Sequence, residues 1–157
     1  MNRPARSLLF VPGDRPERFA KAHASGADAV ILDLEDAVAP AAKAAAREAC
    51  RQYLAGGGAA LLRINALDSG WANDDLELCR LPGVQGVVLP KADSATAVLA
   101  AAQRSGKPVL PLIESAPGLI NLREIAAARG VSRLLFGSVD LCLDLGIEGD
   151  ENELASH

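Results

Sequence analysis

Short apolar segments recur along the chain at intervals of roughly 25 residues. They are SLLFV (7–11), AVILDL (29–34), ALLRI (60–64), GVVLP (86–90), VLPLI (109–113) and RLLFG (133–137). None shows the alternation of apolar and polar residues that marks a strand with one wet face. Such segments are typical of parallel β-strands that are covered on both faces. The pattern therefore predicts six parallel strands.

The segments between these strands are rich in alanine and favour helices. They are RPERFAKAHASG, PAAKAAAREACRQYLAGG, ANDDLELCRLPG, SATAVLAAAQRSG and LINLREIAAARG. Most end in glycine, a common residue at helix ends. The alternation predicts repeated βα units. After Asp140, the sequence LCLDLGIEGDENELASH can begin a loop and a helix but contains no further strand segment.

Polar residues lie at the carboxyl ends of the predicted strands. They include Asp33, Glu35, Asp36, Arg63, Asn65, Lys91, Glu114, Ser138 and Asp140. A TIM (β/α)8 barrel gathers such residues at the carboxyl ends of its strands. A doubly wound sheet would instead place a GxGxxG loop early, and VPGDRP does not match it.

We therefore predict a barrel of this type with only about six βα units, formed by residues 1–157 as a single incomplete domain. Strand edges that are left open tend to pair with another chain, so oligomerisation or domain swapping is expected.

Composition excludes several classes of partner. The net charge is −4, which gives no general attraction to nucleic acid or to anionic membranes. Three widely separated cysteines form neither a disulfide framework nor a zinc motif. No apolar stretch approaches the length of a membrane span. We expect a cytoplasmic protein with free thiols.

Two acids on neighbouring predicted strands are candidate metal ligands. Glu114 lies in LIESAPG and Asp140 in FGSVDL, each just after an apolar strand. Two carboxylates, several waters and a chelating substrate are typical of a Mg²⁺ site. The alternative is that either acid caps the following helix or faces solvent.

Other polar side chains lie at the ends of two further predicted strands. Arg63 and Asn65 are two positions apart, so both are expected to point to one face of their strand. Arg63 could then bind a carboxylate or a developing oxyanion, or it could pair internally with Asp33 or Glu35. Lys91 is a weaker candidate, because most lysines at strand ends are solvated.

The remaining candidates are an acidic cluster and a turn. Asp33, Glu35 and Asp36 crowd three carboxylates into four positions, which calls for a nearby cation, a hydrogen-bonding cage or solvent. The backbone N–H groups of the Gly137–Ser138 turn could bind a substrate carboxylate.

Taken together, the motifs resemble those of a known family. RSLLFVPGDRPERFAKA, DAVILDLEDAV, LLRIN, GVVLPKA, PLIESAPG and LLFGSVDLCLDLG occur in this order between Arg6 and about Gly146. The set resembles the citrate lyase β-subunit-like proteins of the HpcH/HpaI aldolase/citrate lyase superfamily.

The resemblance implies a Mg²⁺-dependent carbon–carbon lyase, commonly a homotrimer with a TIM barrel. Such enzymes cleave citryl-, malyl- or citramalyl-type thioesters of CoA or of an acyl carrier protein. The products are an acyl thioester such as acetyl-CoA and a 2-oxo acid such as oxaloacetate. The C-terminal acid that acyl-CoA lyases use has no counterpart that we can assign in this chain.

The matching positions also imply roles for single residues. Glu114 and Asp140 would hold the metal, and Arg63 would contact the substrate carbonyl. The implied catalytic residues are Arg63, Glu35 and Asp36, with Asp33 in the same acidic cluster. The implied substrate-binding residues are Arg63, Asn65, Lys91, Gly137 and Ser138.

Two alternatives remain open. One is a class II aldolase that releases pyruvate without any thioester. The other is a non-catalytic truncated barrel that binds a metabolite or a partner chain. Turnover of CoA esters would distinguish the lyase from both.

Overall fold

Six parallel strands form one curved sheet in the order β1-β2-β3-β4-β5-β6. The computed structural model describes residues 5–147, and the final part of the expected loop-and-helix segment, 148–157, lies outside the described residues. The strands are β1 Leu8–Pro12, β2 Ala29–Asp33, β3 Ala60–Arg63, β4 Val84–Leu89, β5 Val109–Ile113 and β6 Leu135–Phe136. Sequential order with parallel pairing confirms the truncated barrel of six βα units.

The helices follow the strands as the alanine-rich segments predict. They are α1 Phe19–His23, α2 Lys43–Ala55, α3 Ala72–Leu78, α4 Ala95–Ser105, α5 Ala116–Ile120, α6 Leu122–Ala127 and α7 Ser138–Leu145. Helix α4 has a typical capping residue at each end. The Oγ of Ser94 accepts a hydrogen bond from the Ala97 N–H, and Gly106 ends the helix with φ +67°, a conformation that costs glycine little.

Two predicted boundaries are wrong. The expected helical segment 119–130 is two helices, which meet at Asn121, where the side-chain Nδ2 donates to the Asp93 carbonyl. The last strand covers only Leu135–Phe136 of the expected 133–137, and α7 begins at Ser138. Asp140 therefore lies in the first turn of a helix and not at the end of a strand.

The sheet has an apolar layer on each face, as its continuous apolar strands require. The outer layer packs against the helices through residues such as Leu32, Leu62 and Val87, all fully buried. The inner layer is smaller and consists of Leu8, Ala29, Ile31, Leu61, Val88, Leu110, Leu112 and Leu135. Because side chains alternate, the next inward position on each strand lies at the carboxyl end of the barrel.

Apolar side chains are exposed at the free edge of the sheet, on β6 and the helix that follows it. Phe136 of β6 is 63% exposed, and Val139 and Leu143 of α7 are 62% and 75% exposed. In a closed barrel further βα units would cover this edge. Within residues 5–147, no helix is long and apolar enough to span a bilayer.

Candidate active site

Four of the predicted site residues lie two positions after a residue of the apolar inner layer, on the same inward face of the sheet. They are Asp33 on β2, Arg63 on β3, Glu114 after β5 and Gly137 after β6. Parallel strands bring these positions to the same end of the sheet, which is where barrel enzymes carry out their chemistry. The site is therefore a direct consequence of strand alternation.

Arg63 is held by a two-point contact with Asp33. Its Nε lies 2.7 Å from Oδ1 and its Nη2 2.5 Å from Oδ2, and the Asp33 side chain is only 2% exposed. Arg63 Nη1 lies 3.2 Å from Glu35 Oε2, and the Phe10 ring centroid is 5.0 Å from the Arg63 Cζ. Both internal partners considered from the sequence are thus used. The hydrogen bonds to Asp33 use two of the five N–H groups of the guanidinium, and the contact with Glu35 is an ion pair without a hydrogen bond, so N–H groups remain for a ligand.

Glu35 is buried, whereas its neighbour Asp36 is exposed. Burial raises the pKa of Glu35 to about 7, against the opposing charge of Arg63 and with the added repulsion of Asp36. The Nζ of Lys91 lies 3.7 Å from Glu35 Oε1. Glu35 can therefore gain or lose a proton near neutral pH.

We expect Glu35 to make the folded chain less stable as the pH rises. Its pKa is raised from 4.5 to about 7 on folding, so the stabilising contribution is complete below pH 4.5 and disappears as the pH passes through 7. The free energy of unfolding should fall by about 1–3 kcal/mol across this range. Urea denaturation at pH 5, 6, 7 and 8 would measure the slope.

The matched variants are Glu35→Gln and Glu48→Gln, the latter at an exposed position on α2. Glu35→Gln should flatten the slope, with a residual part from Glu114, whose pKa is also raised. Glu48→Gln should leave the slope intact. An unchanged slope in Glu35→Gln would contradict this account.

Glu114 is fixed from two sides. Its Oε1 accepts the Lys91 N–H at 2.7 Å, and Lys91 adopts φ +47°, a left-handed conformation rare for residues other than glycine. A Cβ on Gly137 would come within 2.9 Å of the Glu114 Cβ and 3.0 Å of Oε2, so only glycine fits there. Local backbone strain and a tight glycine contact are both typical of functional sites.

The donor set at Glu114 suits a hard divalent cation. Burial raises the pKa of Glu114, the Lys91 N–H opposes this shift, and the negative charge of Asp140 adds to it. The two carboxylates are thus close enough to repel each other, and a cation would relieve this repulsion. Residues 5–147 contain no group of three or more His, Cys, Asp or Glu side chains arranged for a metal. Two carboxylates nevertheless fit Mg²⁺, which keeps several waters in its shell.

Helix α7 carries the remaining strand-end candidates. Gly137 donates its N–H to the Ile113 carbonyl at 2.9 Å within the sheet, so that amide is already used. Ser138 and Asp140 are exposed in the first turn of the helix. One turn later, Asp144 Oδ2 accepts the Ala116 N–H at 2.7 Å, which joins α7 to the start of α5.

Asn65 does not share a face with Arg63, contrary to the alternation argument. Strand β3 ends at Arg63, so the alternation does not continue to residue 65. The Asn65 side chain, in a residue only 3% exposed, accepts from Lys43 Nζ and donates to Asp75 Oδ2. Its predicted role in substrate binding would require these bonds to be broken.

Three charged residues lie behind the acidic loop, the segment 33–36 that carries the acidic cluster, and they were not predicted. Lys43 and Arg47 of α2 and Asp75 of α3 form ionic and hydrogen-bonded contacts around Asn65. A signal for Lys43 was present in the sequence, because it shares a helical stripe with the buried Ala46, Cys50 and Leu54. A lysine on an apolar stripe needs a buried partner, and this one lies beside the three crowded acids.

A cavity of about 380 Å³ opens beside the site. Its lining includes Glu35, Asp36, Lys91, Ser69 and Trp71. A larger cavity, of about 610 Å³, lies around Lys107, Pro108 and Val131 at the amino ends of the strands. Barrel enzymes do not place their chemistry at that end.

Comparison with known proteins decides the family. The HpcH/HpaI aldolase/citrate lyase family matches residues 6–155. This chain belongs to that family. A citrate lyase subunit beta-like protein of Mycobacterium tuberculosis is 46% identical over 138 residues, which are 88% of this chain and 49% of the relative. A (3S)-malyl-CoA thioesterase of Cereibacter sphaeroides is 35% identical over 90% of this chain and 52% of its own length.

Solved structures of CitE, the citrate lyase beta subunit of M. tuberculosis, have the same fold as this chain. One, in complex with magnesium, acetoacetate and coenzyme A, superposes with a TM-score of 0.82 at 42% identity, covering 94% of this chain and 54% of that one. Another, with oxaloacetate and magnesium, gives 0.81 at 40% identity, covering 96% and 68%. The expected cofactors, Mg²⁺ and a CoA compound, are thus those of homologous structures. The chain spans about half the length of the curated relatives it matches.

Proposed function

We propose that this chain carries the 2-oxo-acid site of a Mg²⁺-dependent carbon–carbon lyase. The substrate would be a 3-hydroxyacyl thioester of the citryl-, malyl- or citramalyl-CoA type. The observation that supports it best is that two side chains are held in place at the carboxyl end of the barrel. Glu114 is held by the Lys91 N–H, and the Arg63 guanidinium is held by Asp33. Family membership supports a lyase-like enzyme, and the choice of thioester is our proposal.

Arg63 would stabilise the charge that develops on the thioester oxygen. Cleavage of the carbon–carbon bond moves an electron pair toward that oxygen, which becomes enolate-like. The N–H groups of Arg63 that are not bonded to Asp33 would donate to it. Because Asp33 already fixes the guanidinium plane, little reorganisation is needed when the charge appears.

Proton transfer would fall to the acidic cluster. The substrate hydroxyl must lose its proton as its carbon–oxygen bond becomes the carbonyl of the 2-oxo acid. Glu35, with a pKa of about 7, can accept that proton at neutral pH. Burial, together with the negative charge of Asp36, would favour the protonated form of Glu35, and the charges of Arg63 and Lys91 would oppose it.

Glu114 and Asp140 would hold the Mg²⁺. When bound, the ion supplies positive charge next to the hydroxyl and carboxylate oxygens of the substrate. The Ser138 N–H, at the start of α7, would face the oxo-acid carboxylate, where a helix terminus favours negative charge. Gly137 leaves room for the Glu114 carboxylate beside it.

A thioester hydrolase is a second candidate, because a relative that is 35% identical is a (3S)-malyl-CoA thioesterase. The products separate the two activities. A lyase releases a 2-oxo acid and leaves the acyl thioester intact, whereas a hydrolase releases a free thiol, which a thiol reagent would detect.

The test is calorimetric binding of oxaloacetate, pyruvate and glyoxylate to the purified chain, with Mg²⁺ or with EDTA. We expect heat of binding for at least one oxo acid in Mg²⁺ and none in EDTA. A far-UV circular dichroism spectrum would first confirm that the chain is folded.

Binding that persists unchanged in EDTA would remove the metal from the proposal. An absence of binding by a folded chain would contradict the site, and the truncated scaffold that binds a partner chain would become the better hypothesis. Binding without thioester turnover would support an oxo-acid site in a chain that spans half of its relatives' length.

A further inference from the structure

A buried lysine supports the acidic loop from behind. The Nζ of Lys43 donates to the carbonyl oxygens of Leu34 at 2.7 Å and Glu35 at 2.8 Å, and to Asn65 Oδ1 at 2.6 Å. The residue is only 6% exposed. All three ammonium donors are therefore used, and all three acceptors are uncharged.

Burying the Lys43 ammonium group costs desolvation free energy, so stability by itself does not explain why a lysine occupies this position. Burial lowers the pKa of Lys43, and the charges of Glu35, Asp33 and Asp75 oppose this shift. An apolar residue on the stripe of Ala46, Cys50 and Leu54 would avoid the cost of desolvating an ammonium group. The position of the charge under the loop that carries Glu35 indicates a role in the site.

The acceptors of Lys43 are themselves fixed by both helices. Asn65 Nδ2 donates to the Leu34 carbonyl at 2.9 Å and to Asp75 Oδ2 at 2.7 Å. Arg47, one turn after Lys43 on α2, donates from Nε to Asp75 Oδ1 at 2.8 Å. The Leu34 carbonyl is thus linked to both α2 and α3, and the Glu35 carbonyl is linked to α2 through Lys43.

We propose that Lys43 is a positioning residue for the oxo-acid site. By holding the carbonyls of Leu34 and Glu35 toward the helices, it turns the Glu35 side chain to the inside of the barrel. There the carboxylate meets Arg63 Nη1 at 3.2 Å and Lys91 Nζ at 3.7 Å. What the site binds rests on the proposed function, but the positioning itself does not.

The experiment compares Lys43→Met with Lys107→Met. Lys107 also donates its Nζ to a backbone carbonyl, that of Leu81 at 3.0 Å, but lies before β5 at the opposite end of the sheet. Two signals in ¹H–¹⁵N spectra of the ligand-free chain report on the site. They are the Arg63 Nε–H, which donates to Asp33 Oδ1, and the Glu35 amide, which donates to the same oxygen at 2.8 Å.

We expect both signals to shift in Lys43→Met and to stay in place in Lys107→Met. Oxaloacetate affinity in Mg²⁺ should fall about tenfold or more in Lys43→Met, as for other residues that orient a site from behind. It should stay within about twofold in Lys107→Met, which lies far from the reacting groups.

Unshifted signals in Lys43→Met would overturn the inference, even if wild type binds oxaloacetate. If wild type binds no oxo acid, the proposed function fails and the two signals still test the positioning. If Lys43→Met does not fold, Lys43→Gln replaces it, since the amide keeps two donors on a shorter side chain. The same two signals must then shift, and their constancy would refute the role of Lys43.

Discussion

Arg63→Met should destabilise the folded chain by about 3–5 kcal/mol, because it leaves a buried acid without its partner. The Asp33 side chain is 2% exposed and accepts two hydrogen bonds from the guanidinium. Methionine fills a similar volume, so the loss reports on charge and hydrogen bonding more than on a cavity. Urea or guanidinium denaturation would measure the change in the free energy of unfolding.

Two comparisons make this result specific. Arg51→Met removes an exposed arginine that pairs with Glu48 on the same helix, and it should cost less than about 1 kcal/mol. The double variant Arg63→Met with Asp33→Asn should be less destabilised than the sum of the single variants, since no unpaired buried charge remains at Asp33. Additive effects would show that the two side chains do not act as a pair.

Glu114→Gln should abolish the Mg²⁺-dependent binding of oxo acids while leaving the fold intact. Residues that only orient a metal ligand cost about 10–100-fold in metal affinity when changed, so the loss of a direct ligand should cost at least about 100-fold. The amide should also relieve the burial of a charge, since the pKa of Glu114 is already raised by burial. Folding stability near neutral pH should therefore stay constant or increase.

The matched control is Glu124→Gln, which changes an exposed glutamate in the first turn of α6. It should bind Mg²⁺ and oxaloacetate as wild type does. Calorimetry of all three proteins with Mg²⁺ would separate the site from general effects of net charge. Retained binding in Glu114→Gln would exclude this residue as a metal ligand.

Much of the fold could be predicted because local rules dominate it. Continuous apolar segments specify strands that are buried on both faces, and all six segments form strands in sequential, parallel order. The nearness of Asp140 to Glu114, whose pKa burial raises and the negative charge of Asp140 raises further, also follows from chain order, since β5 and β6 are neighbours. The alternative in which Arg63 pairs internally was open from the sequence, and the structure realises it with both acids.

The errors lie where the backbone departs from regular structure, beyond the end of a strand and inside the last helical segment. Asn65 lies beyond the end of β3, so its side chain follows the loop and not the alternation. The segment 119–130 is divided into two helices at Asn121, although backbone hydrogen bonds from Asn121 to Pro117 and from Ile125 to Asn121 continue across it, and the Asn121 side chain binds the Asp93 carbonyl there. Neither effect is visible from the hydrophobic pattern.

The sequence by itself determined the strands, their order, and the end of the sheet at which the acids and Arg63 collect, because these follow from periodicity and parallel pairing. Only the tertiary structure decided how the three crowded acids are tolerated. Asp33 and Glu35 pair with Arg63, Asp36 stays exposed, and Lys43 binds the loop from a helix that follows it. These contacts depend on packing between distant segments, where burial makes each unpaired charge costly and so selects a single arrangement.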